Sequence, residues 1–149
     1  MASNVDPGGS FSFYLELDSV LSGSFREVTG MGSEHEVIEH KESGPKGEFI
    51  VHKVPGRMKW GDVTLKRGIT KSMDIWDWRQ KVEEGKVADA RRNGSIIMYA
   101  QGTQDPIARW EFVNAWPSKV TGPNFNAQTN EIGIEELVIV HEGLKRVKP

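Results

Sequence analysis

The stretch Ser10-Phe11-Ser12-Phe13-Tyr14-Leu15-Glu16-Leu17 places an apolar side chain at every second position. Phe11, Phe13, Leu15 and Leu17 fall on one side, and Ser10, Ser12, Tyr14 and Glu16 on the other. Successive side chains of a strand point to opposite faces, so this is the pattern of a half-buried β-strand. Asp18 to Gly23 holds turn residues, and Ser24 to Val28 reads as the return arm of a hairpin. Thr29-Gly30-Met31-Gly32 breaks the chain again, and Glu34 to His40 reads as a further strand.

The same period recurs downstream. Asp62 to Arg67 is a strand with Val63 and Leu65 on one face. After Asn93-Gly94, Ser95 to Ala100 is a nearly continuous apolar run. Ile107 to Asn114 alternates, with Trp110 and Phe112 opposite Arg109, Glu111 and Val113, and Trp116-Pro117 is expected to end it. Thr121-Gly122-Pro123 precedes a last strand, Asn130 to Glu142, in which the phase slips. Ile132 and Ile134 share one face, but Leu137, Ile139 and His141 lie on the other. Either a β-bulge sits near Glu135-Glu136 or a glutamate points inward, and the bulge is the preferred reading.

One helix interrupts the strands. Ile75, Trp78 and Val82 recur at spacings of three and four, with Trp76 beside them. Ser72 is placed to cap its start, Asp74 lies in the first turn where the helix dipole favours an anion, and Gly85 is a natural stop. Lys86 to Arg92 reads equally as a short helix or a loop. Between the third strand and Asp62 runs a polar, Gly/Pro-marked excursion, Lys41 to Arg57. Phe49 to Val54 within it is extended, and Val54-Pro55-Gly56-Arg57 is expected to stop that strand. The whole span reads as a long arm or hairpin projecting from the body, and long excursions in compact domains are often functional. The tally is seven or eight strands and one helix, a mainly β chain built as a small barrel or sandwich.

Composition narrows the function. The 149 residues, 16.7 kDa, fit one domain over 1–149, with a flexible arm expected over 1–9 and a C-terminal tail over 144–149. There is no cysteine, which excludes disulfides, thiol chemistry and cysteine-ligated metals. Lys+Arg numbers 19 against 21 Asp+Glu, so no overall charge draws the chain to nucleic acid or an anionic membrane. Mean hydropathy is −0.49, and no apolar run approaches the ~20 residues that span a bilayer. The first residues lack the basic and apolar regions of a signal peptide. Five tryptophans are many for so polar a chain, and large aromatics dominate cores and interfaces.

No catalytic motif emerges. His35-Glu36-Val37-Ile38-Glu39-His40 spaces its histidines five apart, not the four that a zinc-binding helix needs, and an odd spacing on a strand sends them to opposite faces. Gly30-Met31-Gly32-Ser33-Glu34-His35 lacks the third glycine of a dinucleotide loop. There is no Walker loop and no nucleophile elbow. The basic pairs Lys66-Arg67, Arg91-Arg92 and Lys145-Arg146 read as solvated charge or interface salt bridges.

The order of motifs carries a resemblance. Phe25-Arg26-Glu27-Val28-Thr29-Gly30 resembles the F-x-E-V-x-G signature of contractile phage tail tube proteins. Val37-Ile38-Glu39-His40-Lys41-Glu42 resembles the I-E-Y-R-E-G segment that follows, with His40-Lys41 replacing Tyr-Arg and Ser43 standing where Gly is usual. Lys53-Val54-Pro55-Gly56 matches K-x-P-G, and Thr64-Leu65-Lys66-Arg67-Gly68 matches T-L-K-R-G. The Trp76–Trp78 helix fits, as do Trp110-Glu111-Phe112-Val113-Asn114-Ala115-Trp116-Pro117 and the closing strand from Asn130 to Gly143.

This resemblance, from about Phe11 to Gly143, implies a tube subunit related to the haemolysin-coregulated tube protein of type VI secretion. Such subunits form six-membered rings that stack into a hollow tube within a contractile sheath, in phages, R-type bacteriocins and extracellular contractile injection systems. Sheath contraction drives the tube through a target envelope, with a cargo effector or DNA in the lumen. The implied partners are further copies of the chain, the sheath, the baseplate or spike, and a tube cap. No catalysis, cofactor, metal, specific nucleic-acid binding or stable membrane insertion is implied. Synthesis would be cytoplasmic, followed by assembly into a phage tail or a released tail-like particle. The arm 41–57 would reach an adjacent ring, with Lys46, Glu48, Phe49, Val51, Lys53, Pro55, Gly56, Arg57, Lys66 and Arg67 as contacts between subunits. Phe25, Ile75, Trp78, Trp110, Phe112 and Trp116 would pack the core and helix. The alternative is a stand-alone carbohydrate-binding β-sandwich using exposed tryptophans.

Overall fold

The computed structural model describes residues 11–18, 21–100, 102–123 and 133–149. The described residues form ten strands and two helices: β1 (Phe11–Leu17), β2 (Leu21–Phe25), β3 (Glu27–Thr29), β4 (Ser33–Ser43), β5 (Phe49–Trp60), β6 (Val63–Gly68), α1 (Asp74–Glu83), α2 (Val87–Ala90), β7 (Arg92–Ala100), β8 (Pro106–Thr121), β9 (Ile134–Val140) and β10 (Gly143–Val147). The expected arm over 1–9 and the first residues of the last strand, 130–132, lie outside the described residues.

All strand pairs are antiparallel, and the main sheet runs β2-β1-β7-β8-β9-β6-β3. Its two ends are one piece of chain. β2 pairs with β1, the chain bends at Arg26, and β3 pairs with β6. The Arg26 amide donates to the Lys66 carbonyl at 2.9 Å across that bend. The sheet thereby closes into a small barrel whose two terminal strands are one bent segment. β10 adds to β8 outside the ring (Gly143 opposite Val113), so residues 143–147 are a strand and not the expected tail.

Alternation fills the interior. In β1 exposure falls along the chain from Phe11 at 48% to Leu15 at 0%, so the strand dives into the core. Val63, Leu65, Ile96, Phe112, Leu137 and Ile139 complete the same cluster. At roughly 1.5–3 kcal/mol for each fully buried large apolar side chain, these positions dominate the stability of the barrel. Ile75 and Trp78 of α1 plug it from the side, and the Trp78 indole donates to the Ala90 carbonyl at 2.6 Å, which ties α2 to α1. Gly85 ends α1 as expected: its φ is +82°, its amide bonds the Val82 carbonyl, and the Lys86 amide bonds that of Lys81. This is a Schellman cap. Ser72 lies one residue ahead of the N-cap, Met73, and its Oγ accepts from the Asp74 amide at 3.4 Å, while the Asp74 carboxylate accepts from the Ile75 amide at 2.7 Å.

Three expected strand ends are bulges. Opposite Glu36 of β4 lie two residues of β5, Gly56 and Arg57, so β5 continues past Pro55 to Trp60. Proline is tolerated there because each strand of a two-stranded ribbon has an open edge. Opposite Asn93 of β7 lie Val113 and Asn114 of β8, and Asn114 takes φ +50°. Ser118 is the extra residue of β8 between Pro117 and Lys119, so β8 runs through Trp116-Pro117 to Thr121. The Pro117 carbonyl accepts from Arg79 of α1 at 3.1 Å. The bends let β8 join β7 and β10 in its first half and β9 in its second.

The preferred reading of the last strand is overturned. β9 pairs with β6 without a break from Ile134 to Ile139, and Glu135 points inward at 3% exposure.

Candidate assembly surface and its anchorage

β4 and β5 form a separate two-stranded sheet and pair only with each other. The ribbon spans Ser33 to Trp60, wider at its base than the expected 41–57. Its tip is closed by Gly44–Glu48: the Gly44 amide bonds the Glu48 carbonyl at 2.6 Å, and Gly47 takes φ +79°. Every residue of β4 is exposed. The register puts Ile38 opposite Val54 and Glu42 opposite Ile50 on one face, and Val37 opposite Pro55, Lys41 opposite Val51 and Ser43 opposite Phe49 on the other. Apolar side chains thus line both faces, with Val37 65%, Ile38 51%, Phe49 82%, Val51 48%, Val54 42% and Met58 46% exposed. A lone two-stranded hairpin is marginal in water, and a contiguous exposed apolar patch marks an interaction surface.

The ribbon is fixed to the barrel at its base. Gly30 takes φ +86°, and a Cβ there would run into the Asp62 carbonyl, so the two crossings of the base touch backbone to backbone. The Gly61 amide donates to the Gly32 carbonyl at 3.0 Å. Trp60, the last residue of β5, packs against the His141 ring with centroids 5.6 Å apart and planes tilted by 57°, and His141 also lies 6.5 Å from Phe112. Both His141 ring nitrogens are buried with no hydrogen-bond partner among the described residues. Burial pushes its pKa below the ordinary 6.5, only partly opposed by the backbone at Gly61 and Gly143 and by the Asp62 carboxylate.

A second anchor joins β6, α1 and β9. Arg67 donates to Asp74 from Nη2 at 2.7 Å and to Glu135 from Nε at 3.2 Å, with its guanidinium 5.3 Å from the Phe25 ring centre. Glu135 accepts from the Trp76 indole at 3.0 Å through its other oxygen. Burial works against the Arg67 charge, but Asp74 and Glu135 outweigh it and raise the pKa. Burial likewise penalises the Asp74 carboxylate, yet the Arg67 bond and the Ile75 amide hold it below its ordinary 3.8.

The expected contact residues divide accordingly. Lys46, Glu48, Phe49, Val51, Lys53, Pro55 and Arg57 are exposed on the ribbon, with Gly56 half-buried against Ile38. Lys66 is half-exposed on the barrel, 3.9 Å from Glu27. Arg67 is a correction: at 6% exposure its guanidinium is committed inside its own subunit, because a buried cation needs buried counter-charges. Phe25, Ile75, Trp78 and Phe112 are buried as expected. Trp116 packs against the core in part, and Trp110 sits half-buried beneath Arg146 at 5.7 Å. His141 and the Arg67–Asp74–Glu135–Trp76 network were not singled out from sequence. The phase slip at Glu135 was the one signal of the network.

A closed barrel with a helix at its side and a bare apolar ribbon is the plan of a subunit made to be assembled. The family described as T4-like virus tail tube protein gp19 matches residues 9–145, and the chain belongs to that family. No curated protein matches the sequence significantly. Among solved structures, the chain is similar to one from the PVC sheath-tube complex of an extracellular contractile injection system in its extended state. The two share 20% identity at a TM-score of 0.75 over 91% of this chain and 87% of that one. It is similar to a chain of the anti-feeding prophage tube-terminating cap at 19% identity and a TM-score of 0.76, over 100% and 95%. Hcp1 from Flavobacterium johnsoniae has 14% identity and a TM-score of 0.56, over 91% and 94%. These likenesses bear out the mainly β tube fold. Among the described residues, no helix is long and apolar enough to cross a membrane.

Proposed function

We propose that this tail tube protein is the structural subunit of the inner tube of a contractile injection particle. Six copies close a ring, rings stack, and a surrounding sheath drives the tube through a target envelope with cargo or DNA in its lumen. Baseplate or spike proteins and a cap are further partners; chains of similar fold come from a sheath-tube complex, a tube-terminating cap and a baseplate. The chain acts without catalysis, and the completed particle is a phage tail or a released tail-like particle.

The observation that carries the reading is the β4–β5 ribbon, apolar on both faces and bare on both. A second copy of the chain covering it removes that surface from water and supplies the ribbon with the layer it lacks. The arm and the exposed contact residues from Lys46 to Arg57, with Lys66 on the adjoining barrel wall, belong to that interface. Deleting residues 45–51 tests the assignment by sedimentation velocity. The shortened chain is expected to keep its circular dichroism spectrum and thermal transition and to lose all tube-sized species. Normal tubes from the deletion variant overturn it.

A further inference from the structure

We infer that the outer edge of β4 in one copy of the chain pairs, strand to strand, with the outer edge of β10 in a second copy, and that charge selects this pairing. The inference deepens the tube reading and rests on it only for the premise that copies associate. Apart from the bent segment that closes the barrel, three strands present an open edge. Among the described residues β10 pairs with β8 alone, and β4 and β5 pair only with each other. The backbone groups on such an edge are a template for a strand from another chain.

The three edges differ in charge and in continuity. β4 carries Glu34, Glu36, Glu39 and Glu42 against one lysine, Lys41, and its 11 exposed residues include neither proline nor glycine. β5 carries Lys53, Arg57 and Lys59 and no acid. Its edge is blunted by Pro55, which brings no amide hydrogen, and by the bulge at Gly56 and Arg57. β10 carries Lys145 and Arg146, both exposed, with Lys148 just beyond it, and again no acid. Like charges on adjoining strands repel, so β10 rejects a second β10 and rejects β5, and β4 rejects a second β4. A β4–β5 pairing between copies has matched charge but meets the proline and the bulge. Lysines on an edge strand guard it against indiscriminate pairing, and those of β10 still admit the one acidic edge. The charges are available: among the described residues Glu34, Glu36, Glu39, Lys145 and Lys148 form no ion pair within the subunit. Glu34 and Glu39 do stand opposite Lys59 and Lys53 in the ribbon. Neighbouring strands lie about 4.8 Å apart, so a strand added to β4 meets its carboxylates at one spacing and the β5 cations at two. At the larger distance, about 10 Å, salt screens the repulsion.

Paired charge reversals in the full-length chain, followed by sedimentation velocity, test the pairing. Lys145→Glu with Lys148→Glu is expected to weaken self-association at least about tenfold, and Glu36→Lys with Glu39→Lys to do the same. All four together exchange the matched charges and are expected to restore association to within about threefold of the unaltered chain. If a variant misfolds, hydrogen exchange on the unaltered chain decides: amides on the outer edges of β4 and β10 are expected to gain protection on assembly. Association that survives the β10 reversal, as a β4–β5 pairing between copies would give, overturns the pairing and leaves the tube reading standing. A fourfold variant no better than the doubles, or exchange at β10 unchanged by assembly, overturns it likewise. An unaltered chain that never self-associates overturns both the pairing and the tube reading.

Discussion

Replacing Arg67 by Met removes the cation but keeps much of the side-chain length against Phe25. Glu135, at 3% exposure, is then a buried carboxylate whose remaining side-chain bond is to the Trp76 indole. Asp74 loses a 2.7 Å bond but is 19% exposed at its side chain and rehydrates. The cost is therefore set mainly by Glu135, and breaking a buried ion pair from one side costs about 3–5 kcal/mol. At roughly 2–4 °C per kcal/mol for a domain of this size, the transition falls by roughly 6–20 °C. Glu135→Gln alone keeps an acceptor for Trp76 and leaves Arg67 paired with Asp74, so it costs less, about 1–3 kcal/mol. In the double variant the stranded charge is gone. It is expected to be more stable than Arg67→Met alone, with a coupling of at least about 1 kcal/mol. Urea denaturation at concentrations where the chain is unassembled measures all four corners, since assembly would otherwise add its own stabilisation. A loss below about 1 kcal/mol for Arg67→Met, or additive single-variant losses, refutes the reasoning.

His141 gives a pH signature. Its folded pKa lies below the ordinary 6.5, so between the two values the unfolded chain binds the extra proton. Stability is thus full above about pH 6.5 and falls as the solution is acidified through that window. His141→Phe, which keeps a ring against Trp60, is expected to flatten this slope in urea titrations from pH 7 to 5. An unchanged slope assigns it elsewhere. Asp74 acts lower: its contribution persists down to its ordinary 3.8 and is lost only in stronger acid, so Asp74→Asn is expected to flatten the steepest part of the acid-denaturation curve. Gly30→Ala forces a φ of +86° on a residue with a Cβ and drives that atom into the Asp62 carbonyl, for an expected loss above about 2 kcal/mol by the same urea assay. Phe49→Ser removes an apolar side chain that is 82% exposed in the lone subunit. It is expected to change subunit stability by less than about 0.5 kcal/mol while weakening self-association at least about tenfold in sedimentation.

Period-two alternation made the barrel legible, because a half-buried strand cannot hide its pattern: Phe11–Leu17, Val63–Arg67 and Ile107–Val113 all lie where it puts them. The errors share one cause. Pro55-Gly56, Asn93-Gly94 and Trp116-Pro117 carry the chemistry of turns, and that chemistry equally serves a bulge in a strand that must bend to close a barrel. Nothing within a few residues says which, since the deciding partner lies on another strand. The inward glutamate ranked second to a bulge for a related reason. Glu135 is tolerable inside only because Arg67, 68 residues earlier, and Trp76 meet it there. Trp60 likewise has no role within its own neighbourhood, and acquires one when the fold brings His141 onto it. The ribbon was visible as an excursion, but its base extends to Ser33 and Trp60 through pairing that spans the whole segment.

Electron microscopy of the purified full-length chain at high concentration tests the central claim most directly. The account predicts six-fold rings with a central channel, stacking into hollow tubes through the β4–β5 ribbon. A folded chain with an intact ribbon that stays strictly monomeric across that concentration range contradicts it.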